Sequence, residues 1–328
     1  MRPDAPEPGV PPAAGAPQRR PHVAICVPTY QRPLGLERLL RALGAQEFAG
    51  EAPCVSVVVV DNDPEGSARE VCEQASNWID YPLRYVIEKR RGIPRVRNAG
   101  LEIAMGFADF VAFTDDDMEP TPRWIAELMR AQTRFQAEVV AGPCVPRFLE
   151  SPPAWLVAGG FHERPRHRSG TPVAYAATGN ALIRCRTLQA MERLFDESLG
   201  LQGGEDTEFF RRVSRAGHRM VWADEALVYE CIPPSRTSLR WLMRRRYRSS
   251  NARAGVELRR LEDRTRARAL IDGIRCLARG SVRLALALAT GRGPVERAHA
   301  LILLAGGAGW LSGAIGFRYQ AYRSVDGL

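Results

Sequence analysis

Lysine is almost absent. Of the 46 Lys and Arg residues only Lys89 is lysine, a bias that reflects genome composition more than function. Histidine is scarce as well: the five present show no HExxH-like spacing, which disfavours a zinc hydrolase. The seven cysteines, Cys26, Cys54, Cys72, Cys144, Cys185, Cys231 and Cys276, form no CxxC pair, and several lie inside apolar runs. They read as small buried hydrophobes in a reducing compartment. Residues 1–21 hold seven Pro and four Ala and no apolar segment, so a signal peptide is not expected there; a disordered leader is. Internal repeats are lacking too. Acidic residues run short in one stretch: residues 232–328 hold 19 Arg against six Asp and Glu, while the preceding residues are net acidic. A mildly acidic body with a basic tail suggests that the tail meets an anionic surface, lipid head groups or nucleic acid.

What is present is the composition of a folded enzyme-sized chain. At 328 residues and 45% hydrophobic, wholesale disorder is excluded and one large domain or two smaller ones can be built. Apolar runs at 22–28, 55–60, 83–87, 110–114 and 138–145 read as strands. Segments 34–43, 67–75, 94–105 and 122–135 read as the helices between them. The run 55–60 (VSVVVV) fits a strand buried on both faces. Strands alternating with helices predict an open α/β sheet whose ligands lie beyond the carboxyl ends of its strands. Residues 146–175 read as a long irregular loop, 176–184, 220–223 and 226–230 as further strands, and 205–216 as a helix. From 238 onward the pattern is helical and arginine-rich.

Several clusters carry chemistry. Asp115, Asp116 and Asp117 follow the strand at 110–114. Three adjacent carboxylates repel one another unless cations or donors neutralise them, and a hard divalent ion with substrate phosphate suits such oxygens. Asp115 and Asp117 share a side of an extended segment. Asp61 ends the 55–60 strand, where a carboxylate can accept from a base or a ribose hydroxyl. Arg95, Arg97 and Asn98 open a helix, a placement suited to a diphosphate. Gly203 and Gly204 precede Glu205 and Asp206 at another helix start, where an ionised carboxylate is favoured and a general base can be held. Arg240 and Trp241, with the arginines that follow, form a cationic aromatic stretch for phosphates, a sugar ring or a lipid surface.

The order Val-Pro-Thr-Tyr (27–30), Val-Asp-Asn (60–62), Thr-Asp-Asp-Asp (114–117), Gly-Gly-Glu-Asp (203–206) and Arg-Trp (240–241) resembles family 2 glycosyltransferases, and among them bacterial succinoglycan-type exopolysaccharide transferases. The resemblance covers roughly residues 22–250. It implies a GT-A fold: a Rossmann-like open mixed sheet flanked by helices, here over residues 22–235, with 236–328 as an Arg-rich helical region that associates with the membrane. It implies a nucleotide-diphosphate sugar donor, Mg²⁺ or Mn²⁺, and a single inverting displacement onto a lipid-linked saccharide acceptor. By matching motif, Pro28, Thr29 and Tyr30 line the nucleoside pocket, Asp61 binds base or ribose, and Arg97 lies near the diphosphate together with Asp116. Asp115 and Asp117 form the metal-binding element, with Glu230 standing where relatives often carry a metal-binding His. Asp206 is the implied general base, Glu205 orients the acceptor, and Arg240 and Trp241 match the end of a QxxRW-like element. The leading Gln is replaced by Thr237, which favours a single transfer over processive synthesis.

Residues 298–317 are twenty without formal charge, and Arg275, Arg279 and Arg283 recur every four residues upstream. The expectation is peripheral or re-entrant docking on the cytoplasmic face of a bacterial inner membrane. Two other readings use the same residues: a nucleotidyltransferase acting on a sugar phosphate, and an arginine-rich nucleic-acid-binding protein. The first would not need Asp206 as a base. The second would need its arginines on a folded patch with interleaved aromatics, whereas here they border an apolar segment, so no nucleic-acid partner is expected.

Overall fold

The computed structural model describes residues 19–258 and 263–322. Most of the expected leader, residues 1–18, lies outside them. The chain opens with β1 (His22–Thr29), α1 (Pro33–Gly44), β2 (Cys54–Asp61), α2 (Arg69–Ala75), β3 (Leu83–Ile87), α3 (Ile93–Met105) and β4 (Phe110–Phe113). β3, β2, β1 and β4 lie side by side and parallel, with Thr29 paired to Asp61 at the shared carboxyl ends. Side chains alternate across these strands. Val57 and Val59 pack under α1 with Leu36, Leu39, Leu40 and Leu43. Val58 and Val60 face the other way, toward Val96, Leu101 and Ala104 of α3. Burial on both faces is what the unbroken β-branched run at 55–60 requires.

Next come β5 (Met118–Pro120), α4 (Trp124–Phe135), β6 (Val139–Ala141), β7 (Cys144–Phe148), α5 (Ala154–Ala158), β8 (Ala181–Arg184), α6 (Cys185–Gln189), α7 (Glu205–Arg215), β9 (Met220–Trp222) and β10 (Val228–Ile232). β8 runs antiparallel between β4 and β6, and β9 closes the edge, so the main sheet is mixed and seven-stranded. β5, β10 and β7 form a second, three-stranded sheet. The sequence predicts one strand over 138–145; the structure divides it between the two sheets. Gly142 and Pro143 are the reason: Pro143 has no N–H for a ladder, and a Cβ on Gly142 would stand 2.4 Å from the Ala226 carbonyl oxygen. The strand expected at 176–184 shortens to β8, leaving 176–180 as a turn beside the strand ends.

Among the described residues three helices follow: α8 (Leu239–Leu258), α9 (Asp263–Ala289) and α10 (Pro294–Ala314). α10 lies between the other two. Its glycines make the contact possible: a Cβ on Gly309 would stand 2.3 Å from the Tyr247 carbonyl oxygen of α8, and one on Gly307 would stand 2.8 Å from Leu277 of α9. The uncharged run 298–317 is therefore a close-packed seam. Among the described residues no helix is long and apolar enough to cross a membrane. α9 is two-sided. Gly273, Gly280 and Ala287 are buried, while Ile271, Ile274, Val282 and Leu286 point outward beside Arg275 and Arg279.

Candidate active site

A cavity of about 450 Å³ opens at the carboxyl ends of the parallel strands and is closed on its far side by α8 and by residues 321–322. It gathers Pro28, Thr29, Tyr30, Arg97, Asp115, Asp116, Asp117, Glu205, Asp206, Glu230 and Trp241, eleven of the positions expected from the sequence. The two remaining candidates lie elsewhere. Asp61 is fully buried and turned into its own loop: Oδ1 accepts from the Asp63 N–H at 2.9 Å, and Oδ2 accepts from the Ala68 N–H and the Tyr85 hydroxyl, each at 2.9 Å. Its neighbour Asn62 lines the cavity instead. Asn62 donates to the Glu88 and Arg90 carbonyls and accepts from the Gly92 N–H, which fixes the loop that starts α3. Arg240 is exposed on the outer side of α8, and Arg245 and Arg248, one and two turns on, face the cavity in its place.

The three aspartates lie in a turn, closed by the Met118 N–H on the Asp115 carbonyl, and not in the extended segment expected; Asp116 and Asp117 share Arg32. Asp116 turns to β1, where it accepts from the Thr29 hydroxyl at 3.0 Å and from Arg32 at 3.2 Å. Burial pushes its carboxyl up to about 6 despite Arg32. Asp115 accepts from Arg97 at 3.1 Å, yet burial, with Asp117 nearby, still raises it. Asp117 is bonded by Arg236 at 2.8 Å and Arg32 at 3.3 Å. Burial works against its charge, but the two guanidinium groups prevail and hold it below the ordinary range.

Asp115 and Asp117 supply hard oxygen donors, and such a pair fits a divalent ion that completes its shell with water and diphosphate oxygens. Glu230 does not join them. Among the described residues no group of three or more His, Cys, Asp and Glu side chains is placed to hold a metal ion. Glu230 is engaged by Arg164 at 2.5 Å, with Arg245 at 3.8 Å.

On the opposite side, Gly203 and Gly204 adopt φ of +83° and +85°, conformations that glycine takes freely, and turn the chain into α7. Glu205 is buried, with one oxygen 3.7 Å from Arg97 and the other, Oε2, lacking a hydrogen-bond partner. Burial, partly countered by Arg97, raises its carboxyl to about 7. Arg97 thus spans the two acidic clusters. Its buried Nε and Nη1 lack partners, donors of the kind a phosphate oxygen satisfies. Asp206 faces the opening, where Oδ2 accepts from the Tyr175 hydroxyl at 3.0 Å and Oδ1 from the Thr207 N–H at 2.6 Å.

Sequence reasoning missed Arg32, Arg164, Tyr175, Arg236 and Tyr322, whereas Arg245 belongs to the cationic stretch it singled out. Arg164 and Tyr175 come from the long loop, whose Trp155 and Phe161 pack against each other, with Phe161 also against His299 of α10. Trp241 carries Arg236, Arg245 and Arg248 within 6 Å of its ring and stacks on His162. Arg245 meets His162 Nδ1 at 3.2 Å, and burial with the nearby Arg245 lowers the imidazole's proton affinity.

The chain is similar to known proteins in sequence and in fold. The family model described as "Glycosyl transferase family 2" matches residues 24–191. The succinoglycan biosynthesis protein ExoM of Rhizobium meliloti (strain 1021) is 36% identical over 228 residues, 70% of this chain and 72% of that protein. The hyaluronan synthase of Pasteurella multocida is 26% identical over 249 residues, which span 65% of this chain and 25% of the synthase. Among solved structures, the mannosyltransferase PcManGT of Pyrobaculum calidifontis, bound to GDP-Man and Mn²⁺, superposes with a TM-score of 0.59 at 22% identity, covering 93% of this chain and 89% of its own. Staphylococcus aureus TarS superposes at 0.53 and 17% identity, covering 89% of this chain and 55% of its own. The solved structures carry the GT-A fold, and the family model with the curated relatives carries the glycosyltransferase reading. The chain belongs to glycosyltransferase family 2.

Proposed function

We propose that the protein moves one sugar from a nucleotide-diphosphate sugar, UDP-linked, to a hydroxyl of a lipid-linked oligosaccharide in exopolysaccharide or cell-surface glycan synthesis. The observation that carries this reading is one cavity that holds Asp206 opposite Asp115 and Asp117, with Arg97 between them. Likeness to a succinoglycan biosynthesis protein supports the exopolysaccharide context.

In this mechanism Pro28, Thr29 and Tyr30 take the nucleoside. Arg97 and the guanidinium groups around Trp241 receive the diphosphate. Asp115 and Asp117 would hold a divalent ion, Mg²⁺ or Mn²⁺, which when bound neutralises charge on the leaving diphosphate. Asp206, aimed by Tyr175, takes the proton from the acceptor hydroxyl. The acceptor oxygen bonds to the anomeric carbon as the bond from that carbon to the diphosphate oxygen breaks, and the electron pair leaves with the diphosphate. One carboxylate base suffices, and the configuration inverts. Glu205 stays behind Asp206 as the buried partner of Arg97.

The outward face of α9 supports peripheral docking at the cytoplasmic side of an inner membrane, since its apolar residues alternate with arginines that suit anionic head groups. The donor is tested by thermal shift of the full chain with UDP, GDP, dTDP, CMP and ADP, each with and without Mn²⁺. Stabilisation by UDP is expected, dependent on Mn²⁺ and lost in Asp117→Ala. Asp206→Asn is expected to keep that stabilisation and lose sugar transfer by about 10²–10⁴-fold. No stabilisation by any nucleotide would overturn the reading.

A further inference from the structure

After α10 the described segment, residues 315–322, does not leave the molecule. It returns across the catalytic rim and is fastened at successive points. Arg318 donates to the Gly313 carbonyl at 2.8 Å, the Tyr319 N–H donates to Asn251 Oδ1 at 2.9 Å, and Arg244 donates to the Tyr319 hydroxyl at 2.8 Å. The Tyr322 N–H then donates to the Leu201 carbonyl at 3.0 Å, and Arg91 donates to the Tyr322 carbonyl at 3.0 Å. Arg91 itself lies 3.6 Å over the ring of Tyr30. The returning segment is thus clamped between the turn that precedes Glu205 and the pocket expected for the nucleoside.

The clamp delivers one side chain to the cavity. The Tyr322 ring stands so close to Gly203 that a Cβ there would touch it at 3.4 Å, and Tyr322 lines the same cavity as Glu205 and Asp206. The residue remains 41% exposed, so part of it is open to a ligand. Glu205 and burial disfavour loss of its phenolic proton, so the hydroxyl is a donor at any working pH. An aromatic face beside a proton-accepting carboxylate, with a hydroxyl donor at its edge, is matched by a hexopyranose ring. Axial C–H groups lie against the π face, and hydroxyls meet the polar edge.

We infer that Tyr322 is a saccharide-contacting residue, the stacking platform for a hexose ring at the reaction centre, contributed by the segment that follows the last helix. This rests on the transferase reading above. The ring stacked there belongs either to the acceptor or to the sugar being transferred, and the two sources separate by experiment.

The test uses the full chain and its Tyr322→Ala and Tyr322→Phe variants, with matched thermal midpoints as a check of folding. Three probes are titrated by saturation-transfer NMR with Mn²⁺ present: UDP, UDP-glucose, and methyl β-D-glucoside in the presence of UDP. The expected result is that Tyr322→Ala weakens a sugar-bearing probe roughly tenfold, the worth of about one buried aromatic contact, leaves UDP unchanged, and is rescued by Tyr322→Phe. Loss confined to the methyl glucoside assigns the platform to the acceptor. Loss confined to UDP-glucose assigns it to the transferred sugar. Equal loss for UDP and UDP-glucose, unchanged binding of all probes, or faster sugar transfer by Tyr322→Ala would overturn the inference, the last because it would make Tyr322 a plug. UDP keeps the two claims apart. If UDP fails to bind the wild type, the donor reading has failed; if UDP binds and the sugars do not respond to Tyr322, only the platform has.

Discussion

Glu205 offers a quantitative test of the charge arrangement, because it is buried against a single nearby cation. Its carboxyl rises from 4.5 to about 7, with burial as the largest cause, Arg97 opposing it and Asp206 adding to it. A folded-state value above the unfolded one means that the folded protein holds the proton more tightly. The stability this contributes is full below about pH 4 and is lost as pH rises through about 7. At 1.36 kcal/mol per unit, the difference between the two printed values amounts to about 3 kcal/mol. Most of the loss falls between pH 5 and pH 8. Glu205→Gln removes the titration and leaves the amide in the same space. Urea midpoints measured from pH 5 to pH 8 are therefore expected to fall more steeply for the wild type than for the variant, with the two curves diverging toward high pH. Asp116, raised to about 6 by burial and by neighbours other than Glu205, is expected to cancel in the comparison. Parallel curves would refute the reasoning. They would mean that Arg97 and water satisfy Glu205 well enough to keep it ionised throughout.

Two further outcomes follow from the helical unit. Gly309→Leu places a side chain where even a Cβ would be 2.3 Å from the Tyr247 carbonyl, so it is expected to cost about 1–3 kcal/mol by urea unfolding; an unchanged midpoint would mean that α10 is not held against α8. Ile274→Glu with Val282→Glu on the outer face of α9, where neither side chain is buried, is expected to leave the thermal midpoint unchanged while reducing co-sedimentation with phosphatidylglycerol-containing vesicles by about tenfold or more; undiminished sedimentation would remove α9 as the docking face.

The sheet and the rim were legible because their signals are local. The run 55–60 states its own double burial, and Asp115–Asp117 follows its strand without a break, so strand and site are read together. The same holds for Gly203–Asp206 at the start of α7. Legibility fails where a residue's role is decided by partners far along the chain. Asp61 ends a strand exactly where a ligand-binding carboxylate would, yet the N–H groups of Asp63 and Ala68 and the Tyr85 hydroxyl claim both its oxygens. Arg240 and Arg245 are alike in sequence, and only the rotation of α8 against the cavity separates the exposed one from the lining one. The uncharged run 298–317 suggests membrane docking when its length and lack of charge alone are counted. Its glycines form a packing seam once Tyr247, Asn251 and Leu277 stand opposite them.

The arginines explain why so many carboxylates can share one cavity. Six acidic side chains line it, and eight arginines do the same. Buried charges of one sign are tolerated only when paired, and here the pairs are specific: Asp116 with Arg32, Asp115 and Glu205 with Arg97, Asp117 with Arg236, Glu230 with Arg164. The excess is cationic, and it collects where guanidinium groups crowd. Burial, with Arg164, Arg248 and Arg236 alongside, lowers the proton affinity of Arg245 despite the attraction of Glu230, and the guanidinium stays charged. An anion placed among these groups relieves that repulsion as well as gaining their attraction. A diphosphate, two charged groups on one short linker, can meet this crowded wall on one side and Arg97 on the other. Under the proposed function the carboxylates would keep the arginines in place until a diphosphate arrived, and their pairing would favour a ligand that brings both negative charge and enough oxygen atoms to replace them.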